Sequence, residues 1–187
     1  MQLRLAAALL AVVALAGCGG GGGKQASTVP AAADAVVKTS EGSFTIRLDV
    51  EDSPNAVASF EKLAKKGFFK GTIFHRIVPG FVIQGGDPTG TGSGGPGYTT
   101  TDPPPTNAKY THGVVAMAKT ATEAPGTAGS QFFVVTAQDA QLPPDYAILG
   151  KVVKGLDVVD RIGKLGDPVT EKPTKRVVVR SITIRPT

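Results

Sequence analysis

A chain of 187 residues with 41% hydrophobic and 19% charged content holds enough apolar material for one globular domain with a sizeable core. Its formal net charge of +5 is spread along the chain, and the longest basic cluster, Lys172 to Arg180, is broken by Pro173 and a valine run, so no nucleic-acid partner is expected. A single cysteine excludes an internal disulfide, and two histidines beside that one thiol leave no metal-ligand set, so neither a metal nor a cofactor is expected.

Met1 to Arg4 forms a short positive segment, and Leu5 to Ala14 an apolar run too short to span a bilayer comfortably. Leu15-Ala16-Gly17-Cys18 follows as a small-residue cleavage site that ends in the only cysteine. This pattern resembles a bacterial lipoprotein signal over residues 1–17. The resemblance implies cleavage before Cys18, a diacylglyceryl group on its thiol, and a protein held by lipid on the extracytoplasmic face of the cell membrane or the periplasmic side of the envelope. An ordinary secretory signal with a stray cysteine is the alternative. Residues 18–34 open with Gly19 to Gly23 and continue polar and Ala-rich with nothing periodic to bury, as a flexible tether would.

Alternation sets in at about Ala35, where the globular domain, residues 35–187, is expected to begin. Phe44, Ile46, Leu48 and Val50 point one way and Ser43, Thr45, Arg47 and Asp49 the other, the period of a half-buried strand. Ser53 before Pro54 predicts an N-cap and a first helical position, and Val57, Phe60, Leu63 and Ala64 recur at helical spacing until Gly67. Strand-like runs follow at Thr72–Ile77, Phe81–Gln84, Val114–Ala118, Phe132–Thr136, Ala147–Val152 and Arg176–Ile184, with one more helical stretch at Leu156–Leu165. Many short strands with two helices do not alternate as β-α-β units, so a mainly β, mostly antiparallel barrel or sandwich is predicted. In the last strand the apolar phase slips between Val179 and Ile182, which a bulge or burial on both faces would produce.

The stretch FHRIVPGFVIQGGD, Phe74 to Asp87, sets an arginine among residues made for a core. Pro79-Gly80 is a turn dipeptide, so the flanking runs can fold back on one another and bring Arg76 and Gln84 together beside Phe81. Gln131 and Phe133 repeat this theme in AGSQFFVVT, Ala128 to Thr136. On residue types alone, Arg76 reads equally as a strand residue reaching outward or pairing with Asp87. GTGSGG, Gly90 to Gly95, has the spacing of a dinucleotide loop, but Pro96 follows instead of a helix, so no nucleotide is expected. Ser130 lacks the surroundings of a hydrolase nucleophile, and His75 reads as a satisfied structural histidine rather than a base.

Taken together, FHRIVPGFVIQGGDPTGTG, GVVAMAKT, GSQFFVVTA and LGKVVKGLDVVDRI resemble the cyclophilin family of peptidyl-prolyl isomerases over roughly Val37 to Ile184. The resemblance implies a closed eight-stranded antiparallel β-barrel capped by two α-helices, with a groove on its outside that takes proline-containing polypeptides. It implies catalytic roles for Arg76, Phe81, Gln84 and Phe133, with Gln84 orienting the arginine. It further implies that Val82, Leu142 and Tyr146 line the groove, that Gln131 is a second groove glutamine, and that Ala118 and Lys119 pair with the peptide through their main chain. Lys119 stands where asparagine is common, Gln141 where many members have tryptophan, and Tyr146 where they have histidine; the last two changes argue against strong cyclosporin binding. The expected activity is rotation about Xaa-Pro bonds of extracytoplasmic proteins by a monomer. A non-catalytic peptide-binding or chaperone lipoprotein using the same groove is the alternative from another class.

Overall fold

The structure, a computed structural model, describes residues 32–187. The signal segment, Cys18 and all but the end of the tether lie outside the described residues. The first strand, β1 (Ala33–Thr39), starts just before the expected domain boundary and pairs antiparallel with β2 (Gly42–Leu48), Thr39 opposite Gly42 and Asp34 opposite Arg47. Ala33, Ala35, Val37, Phe44, Ile46 and Leu48 face inward and are buried. No strand is predicted at β1, because two alanines and a threonine among its inward residues leave little apolar contrast.

Helix α1 (Pro54–Lys65) buries Ala56, Val57, Phe60, Leu63 and Ala64, as its spacing requires. Ser53 holds the N-cap position and Pro54 the first helical one, as expected, but another side chain does the capping. Ser53 makes no side-chain cap, and its hydroxyl is buried without a partner among the described residues. The acceptor is instead Asp102, whose Oδ2 accepts from the Ala56 amide at 2.6 Å and whose Oδ1 accepts from the Asn55 amide at 3.4 Å and from Asn55 Nδ2 at 2.8 Å. A carboxylate there satisfies orphan first-turn N–H groups and sits at the positive end of the helix dipole.

The remaining elements are β3 (Arg76–Val78), β4 (Val82–Gly85), β5 (Thr100–Thr101), β6 (Val114–Met117), β7 (Thr127–Ala128), β8 (Phe132–Val135), β9 (Ile148–Lys154), α2 (Leu156–Gly163) and β10 (Val179–Pro186). Eight strands form one antiparallel sheet in the order β10-β1-β2-β9-β6-β8-β4-β3, while β5 and β7 pair separately. The sheet curls but is open, which corrects the expected closed barrel. Between its two ends, β3 and β10, only an isolated bridge at Ile73–Val178 and a few backbone bonds of residues 71–74 with 177–179 span the gap. The second edge of β3 does not meet β10, because there the Ile77 amide donates to Glu171 O in the loop between the second helix and β10. The phase slip in β10 is a bulge, since Lys38 pairs with Ser181 but Thr39 with Val179, leaving Arg180 over.

Two apolar clusters sit on opposite faces of this sheet. The larger, inner one gathers both helices with Phe44, Phe60, Phe69, Phe74 and Phe132. The second lies outside and contains Val82, Tyr110, Val114, Ala116, Phe133 and Val135, with Phe81, Leu142 and Tyr146 packed against it. Alternation explains the division: on β8, Phe132 and Val134 point inward while Phe133 and Val135 point outward, and all four are buried.

Asp102→Ala is expected to lower the unfolding free energy by about 1–2 kcal/mol in urea titrations, the usual loss of a helix cap. Ser53→Ala, which removes a hydroxyl with no partner, is expected to change it by less than about 0.5 kcal/mol. The reverse ranking would return the cap to Ser53.

Candidate active site

The site begins at a turn. Val78 O accepts from the Phe81 amide at 3.0 Å, with Pro79 and Gly80 between them and Gly80 at a φ of 69°, the left-handed angle that the third position of a type II turn requires. This turn sets the β3–β4 register so that Arg76 lies opposite Gln84, while Ile77 and Ile83 enter the core. Arg76 Nη1 donates to Gln84 Oε1 at 3.4 Å, Gln84 Nε2 to Gln131 Oε1 at 3.0 Å, and Gln131 Nε2 to the carbonyls of Gly92 and Gly94 at 2.9 Å each. At the other end Arg76 Nε donates to Glu171 Oε2 at 2.6 Å. The arginine is therefore paired with Glu171 and not with Asp87.

A cavity of about 140 Å³ opens beside the guanidinium and is lined by Arg76, Phe81, Val82, Gln84, Ala118, Lys119, Phe133, Leu142 and Tyr146. Of the groove residues read from the sequence, only Gln131 is absent from this lining. It borders a neighbouring cavity of about 520 Å³, walled by the glycine loop from Gly92 to Thr99 and by Lys119, Thr120 and Glu123, and shared with Gln84 and Ala118. Gln141 lines neither cavity; it is exposed, at a φ of 52°, with its amide on Asp139 Oδ1 at 2.8 Å.

Several contributors had no signal in the sequence. Tyr110 is fully buried, donates its hydroxyl to Tyr146 O at 2.7 Å and accepts from the Tyr146 amide at 2.9 Å. It thus holds the Tyr146 ring edge-on to Phe133, with centroids 5.4 Å apart. Lys119 is held in place by its side chain. The chain is 3% exposed and reaches Asp145 Oδ2 at 2.6 Å and Glu123 O at 3.1 Å, with the ammonium 5.6 Å from the Tyr146 centroid. The Ala118 amide is used within the protein, donating to Gln131 O at 2.9 Å.

Asp87 organises the glycine loop. Its carboxylate is buried and accepts from the amides of Thr89 at 2.7 Å, Gly92 at 2.6 Å and Gly94 at 3.1 Å, and from the Thr89 hydroxyl at 2.8 Å. A Cβ at position 94 would lie 2.1 Å from Asp87 Oδ1, so the glycine lets the loop close on the carboxylate. Burial alone would raise the pKa of Asp87, but the Thr89 hydroxyl and the three amides together hold it well below the usual carboxylate range. GTGSGG therefore wraps an acidic side chain of its own chain. Ser130 Oγ donates to Gly86 O at 2.8 Å in a buried position, a structural bond. His75 is half-buried, and burial lowers its pKa; its Nδ1 has no partner among the described residues, so it is not the fully satisfied histidine expected.

A curled antiparallel sheet with two helices, and an outward cavity joining a guanidinium to aromatic walls, defines a class with known members. Residues 35–184 match the family model of cyclophilin type peptidyl-prolyl cis-trans isomerases. The chain belongs to that family. A peptidyl-prolyl cis-trans isomerase of Helicobacter pylori is 41% identical over 136 residues, 71% of this chain and 81% of the relative. One from Arabidopsis thaliana is 34% identical over 147 residues, 78% of this chain and 90% of the relative. The crystal structure of a Cryptosporidium parvum cyclophilin type isomerase superposes with a TM-score of 0.75 at 33% identity, covering 82% of this chain and 98% of that one. The same protein solved in the presence of the dipeptide Ala-Pro gives a TM-score of 0.74.

Asp87→Asn keeps one acceptor oxygen and is expected to lower the unfolding free energy by about 2–3 kcal/mol at pH 7. A native carboxyl that ionises more readily than the unfolded one stabilises fully above the unfolded value near about 3.9 and loses that contribution as pH falls further. Urea titrations are therefore expected to show a constant gap between wild type and variant down to about pH 5 that narrows below about pH 4. A gap that persists unchanged at pH 3 would place the stabilisation outside this carboxylate.

Proposed function

We propose that this isomerase is lipid-anchored through Cys18 on the extracytoplasmic face of the membrane, where it works as a monomer on proline-containing segments of exported polypeptides and assists their folding. The catalytic part rests on one observation: a guanidinium oriented from two sides borders a cavity with an apolar floor. The Ala-Pro dipeptide of the Cryptosporidium parvum relative supports a proline ligand for the groove. The localisation rests on the Leu15 to Cys18 signal and the glycine-rich stretch behind it.

The chemistry asks little of the protein beyond placement. An amide C–N bond resists rotation by about 18–20 kcal/mol because the nitrogen lone pair is delocalised into the carbonyl, and twisting frees that pair. A fixed cation hydrogen-bonds to the freed pair, or to the turning carbonyl, better in the twisted state than in the planar one. Arg76 suits this role because it stays charged when partly desolvated and has donors to spare once Nε and Nη1 are engaged. In this reading Phe81, Phe133 and Leu142 hold the proline ring still while the preceding carbonyl swings. No proton leaves the enzyme, and shortening tens of seconds to milliseconds needs only about 5–6 kcal/mol.

Arg76→Ala is expected to lower kcat/KM for an Xaa-Pro peptide by about 10²–10³-fold, the loss of one preorganised donor, with an unchanged circular dichroism spectrum. Full activity in the folded variant would remove Arg76 from the mechanism. Cys18→Ser is expected to move the mature protein into the soluble extracytoplasmic fraction or leave uncleaved precursor, because stable membrane residence needs two or more acyl chains. Mature serine variant that still sediments with membranes would refute the anchor.

A further inference from the structure

The short charged contact of Arg76 is with Glu171, 2.6 Å from Nε, whereas Gln84 Oε1 lies 3.4 Å from Nη1. Glu171 sits in the loop between α2 and β10, which a bridge between Gly166 and Pro173 closes. Within it Asp167 Oδ1 accepts from the amides of Val169 at 3.0 Å and Thr170 at 2.7 Å, and Asp167 O accepts from the Glu171 amide at 2.9 Å. Glu171 O in turn accepts from the Ile77 amide at 2.8 Å, so the loop is fastened to the edge strand β3 one residue from the arginine.

Glu171 adopts a φ of 57°, the left-handed region that residues other than glycine seldom occupy. Such conformations persist where the surroundings over-determine them, and they gather at functional sites. Stability offers no reason for this one, since the two side chains are 36% and 43% exposed and ion pairs so placed contribute little. Geometry does offer a reason. A guanidinium held at Nε by a carboxylate and at Nη1 by an amide cannot turn about its Cδ–Nε bond, so its remaining donors keep one direction before substrate arrives.

We infer that Glu171 is a positioning residue for this isomerase: its carboxylate sets the plane of the Arg76 guanidinium against the cavity. The inference rests on the reading of Arg76 as the electrostatic catalyst. The carboxylate touches no reacting atom, and it acts through Arg76 alone.

Glu171→Gly removes the carboxylate while suiting the left-handed backbone, so the loop and its bond to Ile77 persist. In the full chain, purified in mild detergent, it is expected to lower kcat for an Xaa-Pro peptide about tenfold, with KM changed less than about twofold, and to shift the NMR resonance of Arg76 Nε–H. Glu171→Gln, which keeps an acceptor oxygen, is expected to recover most of the lost rate. On an Arg76→Ala background, Glu171→Gly is expected to cost nothing further. Unchanged kcat in Glu171→Gly beside a crippled Arg76→Ala overturns the inference and leaves the role of Arg76 standing. An equal loss on the Arg76→Ala background overturns it as well, because the carboxylate would then act elsewhere. Full activity in Arg76→Ala is a different and recognisable failure, that of the reading beneath it.

Discussion

Burial of β4, β6 and β8 on both faces is the constraint on which the site depends. An antiparallel sheet commonly turns one face to the core and the other to water. Here the outward residues Val82, Val114, Ala116, Phe133 and Val135 are buried too, because Tyr110 and the chain from Ala137 to Tyr146 lie over them. Each large apolar side chain taken out of water contributes about 1.5–3 kcal/mol, so the covering segment is held firmly against the sheet. The cavity beside Arg76 is where that cover stops, which is why its floor is aromatic and its rim polar.

Along the rim runs a single thread of hydrogen bonds from Glu171 through Arg76, Gln84 and Gln131 to the carbonyls of Gly92 and Gly94. The glycine amides at its far end are held by Asp87, so the thread has an anion at each end and a cation near one of them. Glutamine suits the middle positions because an amide donates and accepts at once and can pass the bond along. The smaller cavity borders the start of this thread and the larger cavity its continuation, so the two share one polar wall. Lys119 forms the other shared wall. Its buried ammonium ties the segment after β6 to Asp145, which is how a lysine is accommodated in this wall.

Most of the elements were legible because each rests on a local pattern. Period-two alternation marked β2, short strand-like apolar runs marked β8 and β9, helical spacing marked α1 and α2, and Pro79-Gly80 marked the turn that sets Arg76 against Gln84. Strand β1 escaped because small residues blunt its alternation, and Ser53-Pro54 marked the start of α1 correctly but not the side chain that caps it, because Asp102 lies 46 residues from the amide of Ala56 that it holds.

By itself the sequence determined that this chain makes many short strands and two amphipathic helices, and that the Arg76 guanidinium falls near Gln84 across the Pro79-Gly80 turn, because side-chain periodicity and turn chemistry act over a few residues. Only the tertiary structure decided how that guanidinium is held, how Lys119 is neutralised, and that the curled sheet stays open between β3 and β10. Glu171 stands 95 residues from Arg76 along the chain, and a pairing across that distance leaves no mark on the local pattern at either end. It comes into being when packing of the core carries the two segments to the same edge of the sheet.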